Sequence, residues 1–291
     1  ANALALQELD AAASRYAAQA DAPNTLRAYR ADLQHYAGWC DRAGMQALPA
    51  APETVGRYLA AHATDYSTAT LQRRLVAISR AHKQAGQRLD TQHPAIRDTW
   101  KGIRRERGTA QKGKAPLMGE DVRRIVGALP NTLQGHRDRA LFLVGFASAM
   151  RRSELAGLTV EDVAFTRHGL VIGLRRSKTD QEGEGRKVAV PYGARAETCP
   201  VRALRTWLDM AEIEGGPLFR AVTRYDTARP SPLSDASVAY IIKRAVTAAG
   251  LDPANYAGHS LRAGHATSAA QAGASERKIM DQTGHKSERM V

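Results

Sequence analysis

At 291 residues the chain is longer than one ordinary core covers, so two domains are expected, and 43% hydrophobic against 24% charged residues excludes a disordered chain. Its 42 Lys and Arg outnumber 29 Asp and Glu for a net charge of +13, of which the residues up to Gly113 carry +6 and the remainder +7. That spread excludes an isolated cationic tail as the source of the charge and favours a polyanion held by the whole molecule, most simply nucleic acid.

Helical spacing begins in "APNTLRAYRADLQHYAGWCDRAG", where Leu26, Tyr29, Leu33, Tyr36, Trp39 and Cys40 recur with the right period and Asn24 or Thr25 can cap the start. "PETVGRYLAAHA" and "STATLQRRLVAISRAHKQAG" continue the style, the latter opened by Ser67 or Thr68 and closed by Gly86. A fourth helix runs from Ala95 to about Arg107 and ends in "KGIRRERG". "TAQKGKAP" then has no apolar period and is polar, basic and punctuated by Gly and Pro, which predicts a linker over 108–116 between domains at 1–107 and 117–291.

The helical pattern resumes at "GEDVRRIVGALP", and "HRDRALFLVGFASAM" is apolar nearly all round, as a buried helix is. Three β-like runs follow, "DVAF", "GLVIGL" and "RKVAVP", the last two separated by the polar, glycine-bearing hairpin loop "RRSKTDQEGEG". Further helices are predicted over 201–212, 234–249, 260–272 and 275–283. The expected fold is mainly α: an all-helical domain, a basic linker and an α-rich domain carrying one small antiparallel sheet. Cys40 and Cys199 make neither a disulfide framework nor a zinc quartet, and there is no signal peptide or membrane-length apolar run, so a cytoplasmic location is expected.

Four short segments of the second domain hold charge that a fold alone does not require. In "SAMRRSEL", Arg151 directly follows the apolar helix, where a guanidinium is costly unless paired. Glu154 either forms a structural ion pair with Arg151 or aims it at a phosphate. In "RRSKTD", Lys178 is either a solvated loop lysine or a proton donor. "GHSLRAGHAT" puts His259 and Arg262 one helical turn apart near a helix start, where anions bind. His285 follows the turn-forming Gly284 in "TGHKS". His259, His265 and His285 have no carboxylate or cysteine at ligand spacing, so no metal and no cofactor is expected. Two arginines, a lysine and two histidines without a carboxylate base suit a phosphodiester, whose oxygens the arginines would neutralise.

Arg151 in "MRRSEL", Lys178 in "RRSKTD", His259 and Arg262 in "GHSLRAG" and His285 in "TGHKS", in that order, resemble the signature of the tyrosine recombinases, the phage integrase family. "NTLRAYRADLQHYAGWC", "LPAAPETVGRYL" and "KGIRRERGTAQKGKAPL" are similar in layout to a Cre-like core-binding (SAM-like) domain and linker, so the resemblance covers nearly the whole chain. It implies a site-specific recombinase that cuts and rejoins duplex DNA through a 3′-phosphotyrosyl intermediate. Arg151 and Arg262 would stabilise the transition state, Lys178 would protonate the departing 5′ oxygen, His259 would assist proton transfer, His285 would bond the phosphate and Glu154 would orient the arginines. The nucleophile of the family is a tyrosine about nine residues beyond the position of His285. That count runs past Val291, so the nucleophile is expected beyond the given residues and the given chain is expected to bind DNA without cleaving it.

DNA contacts are expected from Arg27, Arg30, Arg73 and Arg74 at the starts of two helices and from Arg104, Arg105, Arg107, Lys112 and Lys114 along the linker. The resemblance further implies a homotetramer on two DNA sites, joined through a C-terminal helix, with a monomer expected where that helix is lacking, and a nucleoid-associated site of action. Two other readings stay open. "AGASERKIMDQTGHKS" has the look of a helix-turn-helix, as in a non-catalytic DNA-binding regulator, and a type IB topoisomerase shares the site chemistry.

Overall fold

The computed structural model describes residues 2–18, 20–110, 113–174, 185–285 and 287. The chain divides into two compact units, Ala1–Lys112 and Gly113–Val291.

The first unit is helical: α1 (Asn2–Ala18), α2 (Pro23–Arg42), α3 (Pro52–Ala61), α4 (Thr68–Gln84) and α5 (Pro94–Arg107). Packing of α2 on α4 and of α3 on α5 buries Tyr36, Cys40, Tyr58, Leu71, Ile78 and Ile96. α1 has no counterpart among the helices expected from the sequence; its alanines favour a helix while Leu6, Leu9 and Tyr16 stay exposed, and no buried side chain is found among its described ones. The expected cap of α2 is also corrected. Ala22 precedes the helix and Pro23 opens it with its preset φ, while the Asn24 side chain accepts from Arg27 Nη1 (3.0 Å) instead of capping. Ser67 does cap α4, its Oγ accepting from the Thr70 amide (3.2 Å).

The second unit contains α6 (Gly119–Ala128), α7 (Leu133–Ser148), α8 (Arg152–Ala156), β1 (Val163–Thr166), β2 (Gly169–Leu174) and β3 (Arg186–Pro191). These are followed by α9 (Pro200–Met210), β4 (Arg220–Val222), β5 (Ala228–Pro232), α10 (Asp235–Ala248), α11 (Ser260–Gln271) and α12 (Glu276–Thr283). α7 is the buried axis: Leu141, Phe142 and Val144 have no exposure, and α6, α9, α11 and β3 pack around it. β1, β2 and β3 form an antiparallel sheet in chain order, with Ile172 opposite Val188 and Leu170 opposite Val190, all four buried. One expectation fails here, since β4 and β5 make a second, two-stranded sheet. β4 has three half-exposed residues and β5 is mostly exposed and bears two prolines, so neither carries an alternation to read. No described helix is long and apolar enough to cross a membrane.

Candidate active site

The site is assembled where α7 ends. Ala149 turns the chain there in the left-handed region (φ 51°), uncommon for a residue with a Cβ, and its carbonyl accepts from Arg262 Nη1 (2.9 Å). The buried Met150 follows, and then Arg151, which caps α8. Glu154, in the first turn of α8, accepts from both the Arg151 amide (2.9 Å) and Arg151 Nη1 (2.7 Å). The ion pair is therefore real and buried, with Arg151 9% and Glu154 8% exposed.

Arg262 comes from α11, whose N-cap is His259, an exposed residue one turn earlier. α11 is seated close against residues 115–117. The Leu117 amide donates to the Ser260 carbonyl (2.9 Å), and a Cβ at Gly264 would stand 1.8 Å from the Leu117 carbonyl oxygen. Arg262 is 6% exposed and its Nη2 is buried without a hydrogen-bond partner. Its pKa is lowered to about 10, first by burial, then by the Arg151 charge, with Arg186 adding to the effect and Glu154 opposing it. At neutral pH it keeps its charge.

His285 follows α12 by way of Gly284, a left-handed cap (φ 69°). Its Nδ1 lies 3.0 Å from the hydroxyl of the fully buried Thr283. Burial first, and then Arg262, Arg151 and Arg186, lower its pKa to about 4, so the imidazole is neutral at physiological pH.

Arg186 was not among the expected residues. It opens β3 on the same face as Val188 and Val190, half-buried, with Nη2 3.8 Å from Glu154 Oε2. The signal was present in "RKVAVP": alternation that buries both valines puts an arginine on the core side of a strand. Burial lowers its pKa, with Arg151 adding to the shift and Glu154 opposing it.

Arg151, Glu154, Arg262 and His285 are thus brought together, with Arg186 added, and His259 stands at the head of the helix that carries Arg262. Among the described residues three guanidiniums face one carboxylate, and a buried N–H of Arg262 points at no acceptor. Such a pocket suits an anion with several oxygens. Lys178 and Lys112 lie outside the described residues.

The expected DNA-contact residues divide. Arg27 and Arg30 are exposed on α2, as are Arg104, Arg105 and Arg107 in the last turn of α5. Lys114 is exposed, its Nζ donating to the Ala254 carbonyl (2.7 Å). Arg73 is half-exposed but binds the buried Asp32 through Nε (2.7 Å) and Nη2 (3.0 Å). Arg74 must be withdrawn from the set. It is 6% exposed, lies 3.8 Å over the Tyr66 ring and donates to the Tyr58 hydroxyl (2.9 Å), so its guanidinium is spent inside the unit.

Residues 116–291 match the phage integrase family, and residues 16–88 match the phage integrase N-terminal SAM-like domain. The chain is 45% identical over 291 residues to an integrase/recombinase xerD homolog of Selenomonas ruminantium, covering 98% of this chain and 85% of that protein. It is 25% identical to recombinase cre of Escherichia phage P1, covering 91% of this chain and 82% of that protein. Its fold resembles that of a lambda integrase fragment solved as a dimer bound to a COC′ core site, with a TM-score of 0.62 at 18% identity, covering 97% of this chain and 92% of that one. A family match over more than half of the chain, together with a relative this similar over most of its length, gives the same answer as the arginine-lined pocket: the chain belongs to the phage integrase family, the tyrosine recombinases.

Proposed function

We propose that this protein cuts and rejoins duplex DNA at specific sites through a 3′-phosphotyrosyl intermediate. The observation that carries the reading is the excess of guanidinium over carboxylate among the described residues of the pocket, with Arg262 Nη2 lacking an acceptor. A scissile phosphodiester is an anion of the right charge and oxygen count for these donors. Its negative charge grows as the phosphorus becomes five-coordinate, so fixed positive charges bind that state more tightly than the starting DNA.

The reaction requires a tyrosine hydroxyl, assigned by the family spacing to a position about nine residues past His285. Its oxygen attacks the phosphorus, a phosphotyrosyl bond forms and the bond to the 5′ oxygen breaks. Lys178 passes a proton to that departing oxygen, and His259 takes part in moving the phenolic proton. Arg151 and Arg262 hold the non-bridging oxygens, and neutral His285 contacts one of them by hydrogen bond. A 5′-hydroxyl from another strand reverses the step. One phosphoester is exchanged for another, so neither ATP nor an external oxidant or reductant enters. Arg27, Arg30, Arg104, Arg105, Arg107 and Lys114, with Lys112, supply phosphate contacts.

The test uses the full-length protein, a pool of nicked duplexes drawn from the host genome, and EDTA. The expected result is a protein–DNA adduct that survives denaturation and maps by mass spectrometry to a tyrosine beyond His285. Sequence-specific binding without an adduct would support a regulator instead, and cleavage that requires a divalent metal would remove the reading.

A further inference from the structure

Arg186 serves two partners that no other described side chain joins. Its Nη1 donates to the carbonyls of Gln282 (2.9 Å) and Asp281 (3.3 Å), and its Nη2 reaches the Thr283 carbonyl (3.5 Å). These are among the last carbonyls of α12, which have no partner within the helix and form its negative end. The same Nη2 approaches Glu154 Oε2 (3.8 Å), an oxygen of the carboxylate that holds Arg151. His285 is two residues beyond Thr283.

The fit is close. A Cβ at Gly284 would lie 3.0 Å from Arg186 Nε and 3.1 Å from its Cζ, so the turn that leads into His285 is shaped around this side chain. Gln282 ties the same helix end to the Ala147 carbonyl of α7 (2.8 Å) and to the Ala189 carbonyl of β3 (3.2 Å). A planar fork with five donors can serve helix carbonyls and a carboxylate together, whereas a lysine ammonium is a single point.

We infer that Arg186 is a positioning residue, clamping the carbonyl end of α12 to Glu154 and thereby fixing where His285 stands relative to Arg151 and Arg262. Its catalytic consequence rests on the recombinase reading above; the clamp itself rests on geometry alone. A purely stabilising helix cap would change melting temperature, and the charge-retaining Arg186→Lys would leave adduct formation at the wild-type rate.

The experiment compares Arg186→Met and Arg186→Lys with the wild type in the full-length protein, reading adduct formation, duplex affinity and the NMR titration of the His285 imidazole. Arg186→Met is expected to slow adduct formation about a hundredfold, as an ångström-scale misplacement does. Duplex affinity should stay within a few-fold, and the His285 pKa should rise towards its ordinary value. Arg186→Lys keeps the charge but not the fork and should leave the rate low. Full rescue by lysine, an unchanged rate, or a rate that falls only in step with duplex affinity would each overturn the clamp. If Arg186→Met does not fold, Arg186→Lys carries the comparison. If the wild type forms no adduct, the recombinase reading fails, and an unchanged His285 titration in the variants would then overturn the clamp separately.

Discussion

At the scale of the residue, an arginine's surroundings decide its work. Arg73 and Arg74 are adjacent in the sequence and were expected to share a duplex, yet one is half-exposed and the other is enclosed by Tyr58, Tyr66 and Asp32. Replacing Arg74 by Ala should destabilise the first unit by about 2–3 kcal/mol, because it strips a charged hydrogen bond from the buried Tyr58 hydroxyl and weakens the pairing of Asp32. Arg30→Ala, at an exposed position, should leave denaturant stability unchanged and weaken duplex binding with a shallower salt dependence. Equal stability of the two variants in urea titration would contradict the division. In the site, burying Glu154 settled only half of the sequence question: Arg151 is paired, and among the described residues three guanidiniums still outnumber the carboxylate.

At the scale of the element, the site depends on how closely two helices approach irregular backbone. α11 carries His259 at its head and Arg262 one turn on, and Gly264 lets it lie against Leu117. Gly264→Ala must push the two apart and should cost about 3 kcal/mol, while also lowering adduct formation by displacing Arg262. A variant with wild-type stability in chemical denaturation would show that the strand of chain at 115–117 is free to move. β3 was legible as a strand from alternation alone, and that same alternation marked Arg186 as inward-facing. α8, at five residues, is too short to show a period, and α1 has no packed face among its described side chains, so both escaped a reading that depends on hydrophobic recurrence.

At the scale of the whole molecule, each unit has its own core and its own half-buried histidines. His35 in the first unit and His136, His265 and His285 in the second all have pKa values lowered from the ordinary value, in each case first by burial. The unfolded chain therefore binds these protons more readily than the folded one. Their stabilising contribution is complete above about pH 6.5 and is lost as pH falls through the lowered folded values, which for His285 is about 4. Melting temperature followed by circular dichroism should decline steadily from pH 7 to pH 4, and His285→Asn should flatten part of that decline. A profile that is level or rises over this range would rule the account out.

Local pattern carried the helical character of the chain, the three strands of the larger sheet, the start of α4 at Ser67 or Thr68, the turn at Gly284 and the family, because periodicity, capping chemistry and motif order are written in consecutive residues. Only the tertiary structure decided which charges meet. Glu154 and Arg186 are 32 positions apart, and Arg186 reaches carbonyls some 95 positions further on, so no local pattern reveals that one guanidinium spans both. Nor does composition separate Arg74 from Arg73, since both pair with Asp32 and the difference lies in the rings of Tyr58 and Tyr66 that enclose only Arg74. Packing sets burial, and burial sets whether a charge is available to a partner or already committed to the fold.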